Sequence, residues 1–308
     1  MAPGELVLGI LFLFQTGVGL LGNFSLLYFY MLTLFTKHSQ RPTNVILNQL
    51  TLANSLVLFS RGIPQTLDAF GLKHFLGEAE CKVSFYTHRV ARGVSLCTTC
   101  LLSGFQAITI SPSNSKWVKL KLEAPKFVKP ACFLCWIVHL LINVVVPMKL
   151  THQIITANIT ENQSFGLCSA KMPDSFLTSI YAFLFPFLDM LFLVNMGWAS
   201  GSIVLFLQRH KQRVRYIYHN SLSPRASQEA FAIRSVLLLV SSFVSFYSLS
   251  SILSLYMTCF VNPNLQLVNV SAFLAACFPA FSPFVLISCD TQIFRTCLVI
   301  CGKIKISK

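Results

Sequence analysis

Residues 6–35 read LVLGILFLFQTGVGLLGNFSLLYFYMLTLF and contain no Asp, Glu, Lys or Arg. An α-helix rises about 1.5 Å per residue, so about 20 apolar residues cross the roughly 30 Å hydrocarbon core of a bilayer. This stretch exceeds that length, and it also exceeds the apolar core of a cleaved signal peptide, about 7–15 residues. It reads as a first spanning helix that also targets the chain.

The same pattern recurs at 43–67, 85–110, 127–147, 176–207, 231–259 and 265–288, with polar connections between the runs. Arg61 and Pro64 interrupt the outer end of the second run, although 45–60 is uncharged. Composition agrees with a membrane protein. Of 308 residues, 54% are hydrophobic and 11% charged, and mean hydropathy is +0.66, whereas soluble domains carry roughly 25% charged residues. The expected fold is an all-α membrane protein, a single domain over 1–308, with seven transmembrane helices and a short amphipathic C-terminal helix. That last helix follows from Ile293, Phe294, Cys297, Leu298 and Cys301, which share one face behind Asp290, a good N-cap residue. Cys297 and Cys301 are candidate palmitoylation sites.

The net charge of +14 would suggest nucleic acid in a soluble chain. Here the distribution carries the meaning, and no nucleic-acid partner is expected. Lys37 and Arg41, Lys116 to Lys129, Arg209 to Arg234, and Arg295 to Lys308 all fall in one alternate set of connections and the tail. The other set holds only Lys73, Lys82, Lys149 and Lys171, with Arg61, Arg89 and Arg92 inside spans. Positive residues concentrate on the cytoplasmic side, so a plasma-membrane protein with its N-terminus outside and its C-terminus in the cytoplasm is expected. The sequons at Asn158 and Asn162 then face the lumen, where glycosylation occurs. The sequon at Asn23 lies inside the first span and reads as a helix-packing polar group. Cys81 and Cys168 are the cysteines placed in outer loops. A bridge between them would tie the fourth connection over the bundle; the alternative is two unpaired thiols.

The sequence has no glycine-rich phosphate loop, zinc-protease signature or nucleophile elbow, so no enzyme, cofactor or metal site is expected. Cys97-Thr-Thr-Cys100 and Cys132-Phe-Leu-Cys135 lie within spans and read as small packing residues. Charges inside spans are more informative, because each is costly unless it faces protein or water. His88, Arg89 and Arg92 sit in the outer half of the third span, and Asp189 is the single acid inside any predicted span. Asp189 is expected to neutralise Arg92 or Arg89 across the bundle, or else to meet a ligand group. A polar lock without ligand contact is the competing reading. With Tyr247, these are the candidate ligand-pocket residues, in aromatic-rich surroundings suited to a small organic molecule.

Several stretches identify a relationship. Leu52-Ala53-Asn54-Ser55-Leu56, Gly62-Ile63-Pro64-Gln65-Thr66, His88 to Ser95, Phe105 to Ser113, Trp198 to Ser202, Arg209 to Val214, Leu222 to Ser227 and Phe278 to Ser288 resemble the vomeronasal type-1 (pheromone) receptors, a divergent branch of the rhodopsin-like receptors. They occur in family order over nearly the whole chain. The resemblance implies a G-protein-coupled receptor of chemosensory neurons that detects small organic or volatile pheromone-like ligands and activates an inhibitory-type heterotrimeric G protein. Ser111, Pro112, His210, Lys211, Arg213, Arg215 and Arg225 are then the candidate G-protein-facing residues, with interfacial anchoring as their alternative role. Gln228 to Arg234 departs from the family's pattern by moving a positive charge at the inner end of the sixth helix. A bitter-taste-like receptor, a non-signalling relic, and a channel or transporter are the rival readings.

Overall fold

A computed structural model describes residues 3–35, 41–72, 77–111, 115–144, 175–217, 224–259 and 265–289. The described residues form helices and no strand. They are α1 (Pro3–Phe35), α2 (Pro42–Val57), a π-turn (Leu58–Gly62), α3 (Ile63–Ala69), α4 (Glu78–Ile110), α5 (Ser115–Asn143), α6 (Ser175–Ile217), α7 (Pro224–Cys259) and α8 (Leu265–Cys289). Five stretches are long and apolar enough to cross a membrane: Gly4–Leu32, Ala79–Ile110, Trp117–Asn143, Phe187–Phe206 and Gln266–Ile287. A shorter apolar stretch, Leu237–Leu253, lies in α7.

Helix α4 begins at Glu78 rather than 85, α6 runs to Ile217 rather than 207 and α7 begins at Pro224 rather than 231, and two further segments differ from expectation. The second run is not one α-helix: the π-turn separates α2 from α3, which carries Pro64 near its start. Helix α5 begins at Ser115 rather than near 127, because hydropathy marks only the apolar part while the lysine-bearing turn before it is equally helical. The expected C-terminal helix lies outside the described residues.

Helix α4 is central, packing against α2, α5 and α6, while α8 joins α1 to α7 and α6 packs on α7. The core between them contains Tyr30, Leu50, Leu96, Leu102, Met196, Phe243 and Phe278. Outward faces are apolar too: Trp198 is 81% exposed and Phe14 69%. A soluble protein would not present such faces to water, but lipid tails are as apolar as the side chains.

With apolar surroundings on both sides, every backbone carbonyl needs a donor within the protein. Proline creates the difficulty, because it has no N–H for the carbonyl four residues earlier. Pro64 frees the Ser60 carbonyl, and Ser84 Oγ of α4 donates to it. Pro283 frees the Pro279 carbonyl, and Asn23 Nδ2 of α1 donates to it at 2.8 Å, while also bonding the Gly19 carbonyl at 2.7 Å. Close approach makes this possible. A Cβ on Gly19 would stand 2.9 Å from the Ala280 backbone, and one on Gly22 would stand 3.0 Å from Pro283. A third polar node is Asn54 of α2, which accepts from Ser95 of α4 at 2.7 Å and donates to Ser282 of α8 at 2.9 Å. On the far side of α4, Trp136 donates to Gln49 at 2.9 Å and Tyr86 to the Leu140 carbonyl at 3.0 Å.

An Asn23→Ala variant is expected to lose about 1 kcal/mol of stability, because the Pro279 carbonyl keeps only the longer bond from Ser282 Oγ at 3.5 Å. In a Pro283→Ala background, where position 283 again carries an N–H, the same change should cost much less. Thermal unfolding of the four purified proteins in lipid nanodiscs measures this. Equal penalties in both backgrounds would show that Asn23 acts in some other way.

Candidate functional site

Arg92 of α4 points to where α6 and α7 meet. Its Nη2 lies 3.1 Å from Asp189 Oδ2, with side chains 19% and 22% exposed respectively. Nη2 also donates to Ser251 Oγ at 3.0 Å, and Nη1 to Ser250 Oγ at 3.4 Å. Ser251 Oγ in turn donates to the same Asp189 oxygen at 3.3 Å. The acid and both serines therefore converge on one guanidinium, whose planar fork suits several acceptors at once.

The guanidinium carbon stands 5.1 Å from the Tyr247 ring centroid, within cation–π range. Tyr247 stacks on Phe243 at 4.0 Å, and Phe278 of α8 meets Phe243 edge-on at 4.4 Å. An unbroken column of rings thus runs from the ion pair to α8, one residue from Pro279. The Tyr247 hydroxyl is buried beside Ser95 of α4.

The other sequence candidates in this region are not all gathered here. Arg89 turns toward α5, where Nε donates to Asn143 Oδ1 at 3.4 Å and the guanidinium stands 5.9 Å from the Phe85 ring. Asp189 therefore takes Arg92 of the two arginines considered for it. His88, one helical turn before Arg92, faces a separate cavity lined also by Phe12, Val57, Arg61, Gly62, Gln65, Ala272, Ala275 and Ala276. Sequence reading missed Arg61 and Gln65 as lining residues and Ser250 and Ser251 as partners of Arg92. Arg61 alone gave a signal, as a charge inside a span.

At the opposite end, Ser111 is buried; its Oγ donates to the Ile108 carbonyl at 2.7 Å, and its own carbonyl accepts from Lys121 Nζ at 2.5 Å. A lysine on a terminal carbonyl is favourable at a helix C-terminus. His210, Lys211, Arg213 and Arg215 lie in the last part of α6, and Arg225 lies in the first turn of α7. Pro112, Asn158, Asn162, Cys168, Cys297 and Cys301 lie outside the described residues. Cys81 is buried at the start of α4 and is disulfide-bonded. Cys97 and Cys135, read from sequence as packing residues, are instead joined by a disulfide between α4 and α5, with Cα atoms 6.3 Å apart, inside the usual bridging range. Cys100 and Cys132 are free thiols. Among the described residues no three His, Cys, Asp or Glu side chains converge on one point as a metal site would require.

The pattern of the vomeronasal organ pheromone receptor family matches residues 6–299. Human vomeronasal type-1 receptor 1 is 49% identical over 297 residues, covering 96% of this chain and 84% of its own. Human vomeronasal type-1 receptor 4 is 47% identical, covering 96% and 98%. Olfactory receptor class A-like protein 1 of Danio rerio is 30% identical, covering 92% and 90%.

Asp189→Asn should destabilise the protein by leaving the Arg92 charge without its counterion, whereas Asp189→Asn with Arg92→Met should recover part of the loss. The expected coupling is about 1–3 kcal/mol in a double-mutant cycle read by thermal unfolding. A double variant no more stable than Asp189→Asn alone would show that the pair does not hold α4 to α6.

Proposed function

The chain belongs to the vomeronasal type-1 receptor family, and from that premise we propose that it is a chemosensory G-protein-coupled receptor with seven spanning helices. Its family is one of receptors, not enzymes, and the chain is a multi-pass membrane protein. In the proposed arrangement the N-terminus is extracellular and the C-terminus cytoplasmic, at the plasma membrane. The ligand is a small organic, pheromone-like molecule, and the transducer is an inhibitory-type heterotrimeric G protein.

The observation that carries the reading is the family match over 6–299 combined with a charged cluster inside an otherwise apolar bundle. Intramembrane charges cost several kcal/mol unless they face protein or water and are paired, and here Arg92 and Asp189 join α4, α6 and α7 at a single point. A ligand that competes for either partner changes how these helices hold one another. The ring column through Tyr247 and Phe243 to Phe278 extends that consequence to α8. At the other end of the bundle, the basic ends of α6 and α7 supply positive charge for the G protein. Cys81 with Cys168 is the proposed outer bridge, Asn158 and Asn162 the proposed glycosylation sites, and Cys297 and Cys301 the proposed lipid attachment sites.

Two measurements test this. In cells co-expressing an inhibitory α subunit, a panel of small volatile organic compounds should yield at least one dose-dependent fall in cAMP absent from mock-transfected cells. A response carried only by a stimulatory or phospholipase-coupled subunit would overturn the choice of transducer. For orientation, glycosidase treatment should increase the gel mobility of the wild-type chain but leave an Asn158→Gln/Asn162→Gln variant unchanged. A wild-type chain that never carries glycan there would place the fourth connection on the cytoplasmic side.

A further inference from the structure

The lysine-bearing part of α5 turns most of its charge away from the bundle. The side of α5 that meets α4 is marked by Lys121, which donates to the Ser111 carbonyl, by Cys135, bonded to Cys97, and by Asn143, which accepts from Arg89. Successive residues of an α-helix are rotated by about 100°. Lys119, Lys126 and Lys129 therefore fall within about 80° of one another, on the outward arc of the helix, and all three are exposed. None of them has an ion pair or hydrogen bond among the described residues. Glu123, also exposed, follows Lys119 by four positions and precedes Lys126 by three, so it offsets one of the three charges.

The rest of that arc is apolar. Leu122 between the lysines is 71% exposed, and beyond them come Phe133 at 69% and Ile137 at 37%. Such side chains lie against lipid tails, so the arc passes from hydrocarbon into a run of unpaired positive charge. The charges are also stacked along the helix axis: Lys126 lies about 4.5 Å and Lys119 about 15 Å farther from the apolar end than Lys129. Lysines that only anchor a helix in the interface need one depth, that of the lipid phosphates. A column reaching outward by this distance matches negative charge that also extends outward from the membrane. The flexible four-carbon stem of lysine takes up the remaining differences in reach.

We propose that this column binds one phospholipid whose headgroup carries further phosphate groups, a phosphorylated inositol lipid. Its acyl chains lie along Phe133 and Ile137, its phosphodiester meets Lys129, and its ring phosphates meet Lys126 and, at the outer end, Lys119. The site goes beyond the receptor reading and is separate from the Arg92–Asp189 group, on the opposite side of α5 from α4. It takes from the proposed orientation only which leaflet supplies the lipid, the cytoplasmic one.

The full-length chain is purified into phosphatidylcholine nanodiscs containing either phosphatidylinositol bisphosphate or, at matched total charge, phosphatidylserine. Native mass spectrometry counts the anionic lipids retained, and thermal unfolding reads their effect. One bisphosphate lipid should be retained and should raise the unfolding midpoint, and phosphatidylserine should give a markedly smaller shift. Lys119→Gln, Lys126→Gln and Lys129→Gln should each weaken retention about fivefold, and the triple variant should abolish it. The triple Lys→Arg variant should keep the lipid, and Glu123→Gln should hold it more tightly, because the opposing charge is gone. Lys121→Gln removes the same charge from the bundle-facing side and should leave retention unchanged. Free inositol trisphosphate should compete poorly, since it has no chains to lie on the apolar arc. Equal shifts with phosphatidylserine, undiminished retention in the triple Lys→Gln variant, or a loss in Lys121→Gln as large as in Lys126→Gln would overturn the proposal. Full competition by the free headgroup would overturn the lipid in favour of a soluble phosphate. Nanodiscs expose both leaflets and contain no G protein, so failure here is separable from failure of the orientation or coupling reading.

Discussion

Satisfaction of backbone carbonyls in apolar surroundings constrains everything else in this bundle. An uninterrupted helix meets the requirement internally, and most of α1, α4 and α6 does so. The informative places are those where proline breaks the pattern. Ser84 answers the carbonyl freed by Pro64, and Asn23 answers the one freed by Pro283. Both donors come from a different helix, so each repair is also a tertiary contact that fixes one helix against another at a defined height. The small residues Gly19, Gly22 and Ala280 follow from it, because Asn23 is short and reaches α8 only if the backbones nearly touch. Hydrophobic attraction between helices is weak in lipid, which is why such polar and small-residue contacts decide the arrangement.

Charge obeys the same logic with higher stakes. Three arginines, Arg61, Arg89 and Arg92, enter the bundle from the π-turn after α2 and from α4, and a single acid is described with them, on α6. The geometry gives Asp189 to Arg92, gives Arg89 the Asn143 amide and a ring, and leaves Arg61 facing a cavity. The two polar regions are consequently different in kind. Around Arg92 nearly every donor has an acceptor, which makes that region a fastening between α4, α6 and α7. Around Arg61, by contrast, Arg61 Nε, His88 Nδ1 and Thr16 Oγ1 are buried without a partner among the described residues.

How much of this could be read beforehand depends on whether the deciding signal is local. Spans of apolar residues are local, so helices in all seven segments were legible, although the π-turn was not: Arg61 and Pro64 marked an interruption, but not the extra residue in the turn. The Arg92–Asp189 pairing was narrowed to two arginines because only one acid lay inside a span. Choosing between Arg89 and Arg92 needed the rotation of α4, which a sequence does not state. The Cys97–Cys135 bond was misread for the same reason, since two cysteines spaced within separate helices show no sign of facing one another. Asn54 sat in plain view inside a motif, yet its partners Ser95 and Ser282 lie 41 and 228 positions away. Serine and asparagine in a span are compatible with many neighbours, and only the packing selects one.

Helix α4 is where the two polar regions become mechanically related. His88 and Arg92 are one turn apart, about 5.4 Å along a single rigid rod, but they face different neighbours: α1, the π-turn and α8 on one side, α6 and α7 on the other. Ser95, a further turn along, is tied through Asn54 to Ser282. A displacement of α4 that loosens the Arg92 fastening must therefore be taken up at the Asn54 node or in the cavity wall, because a helix does not compress between adjacent turns. Residues four apart lie only about 40° apart around a helix, so the two polar regions adjoin one another along α4, and a rotation or shift of this rod alters both together.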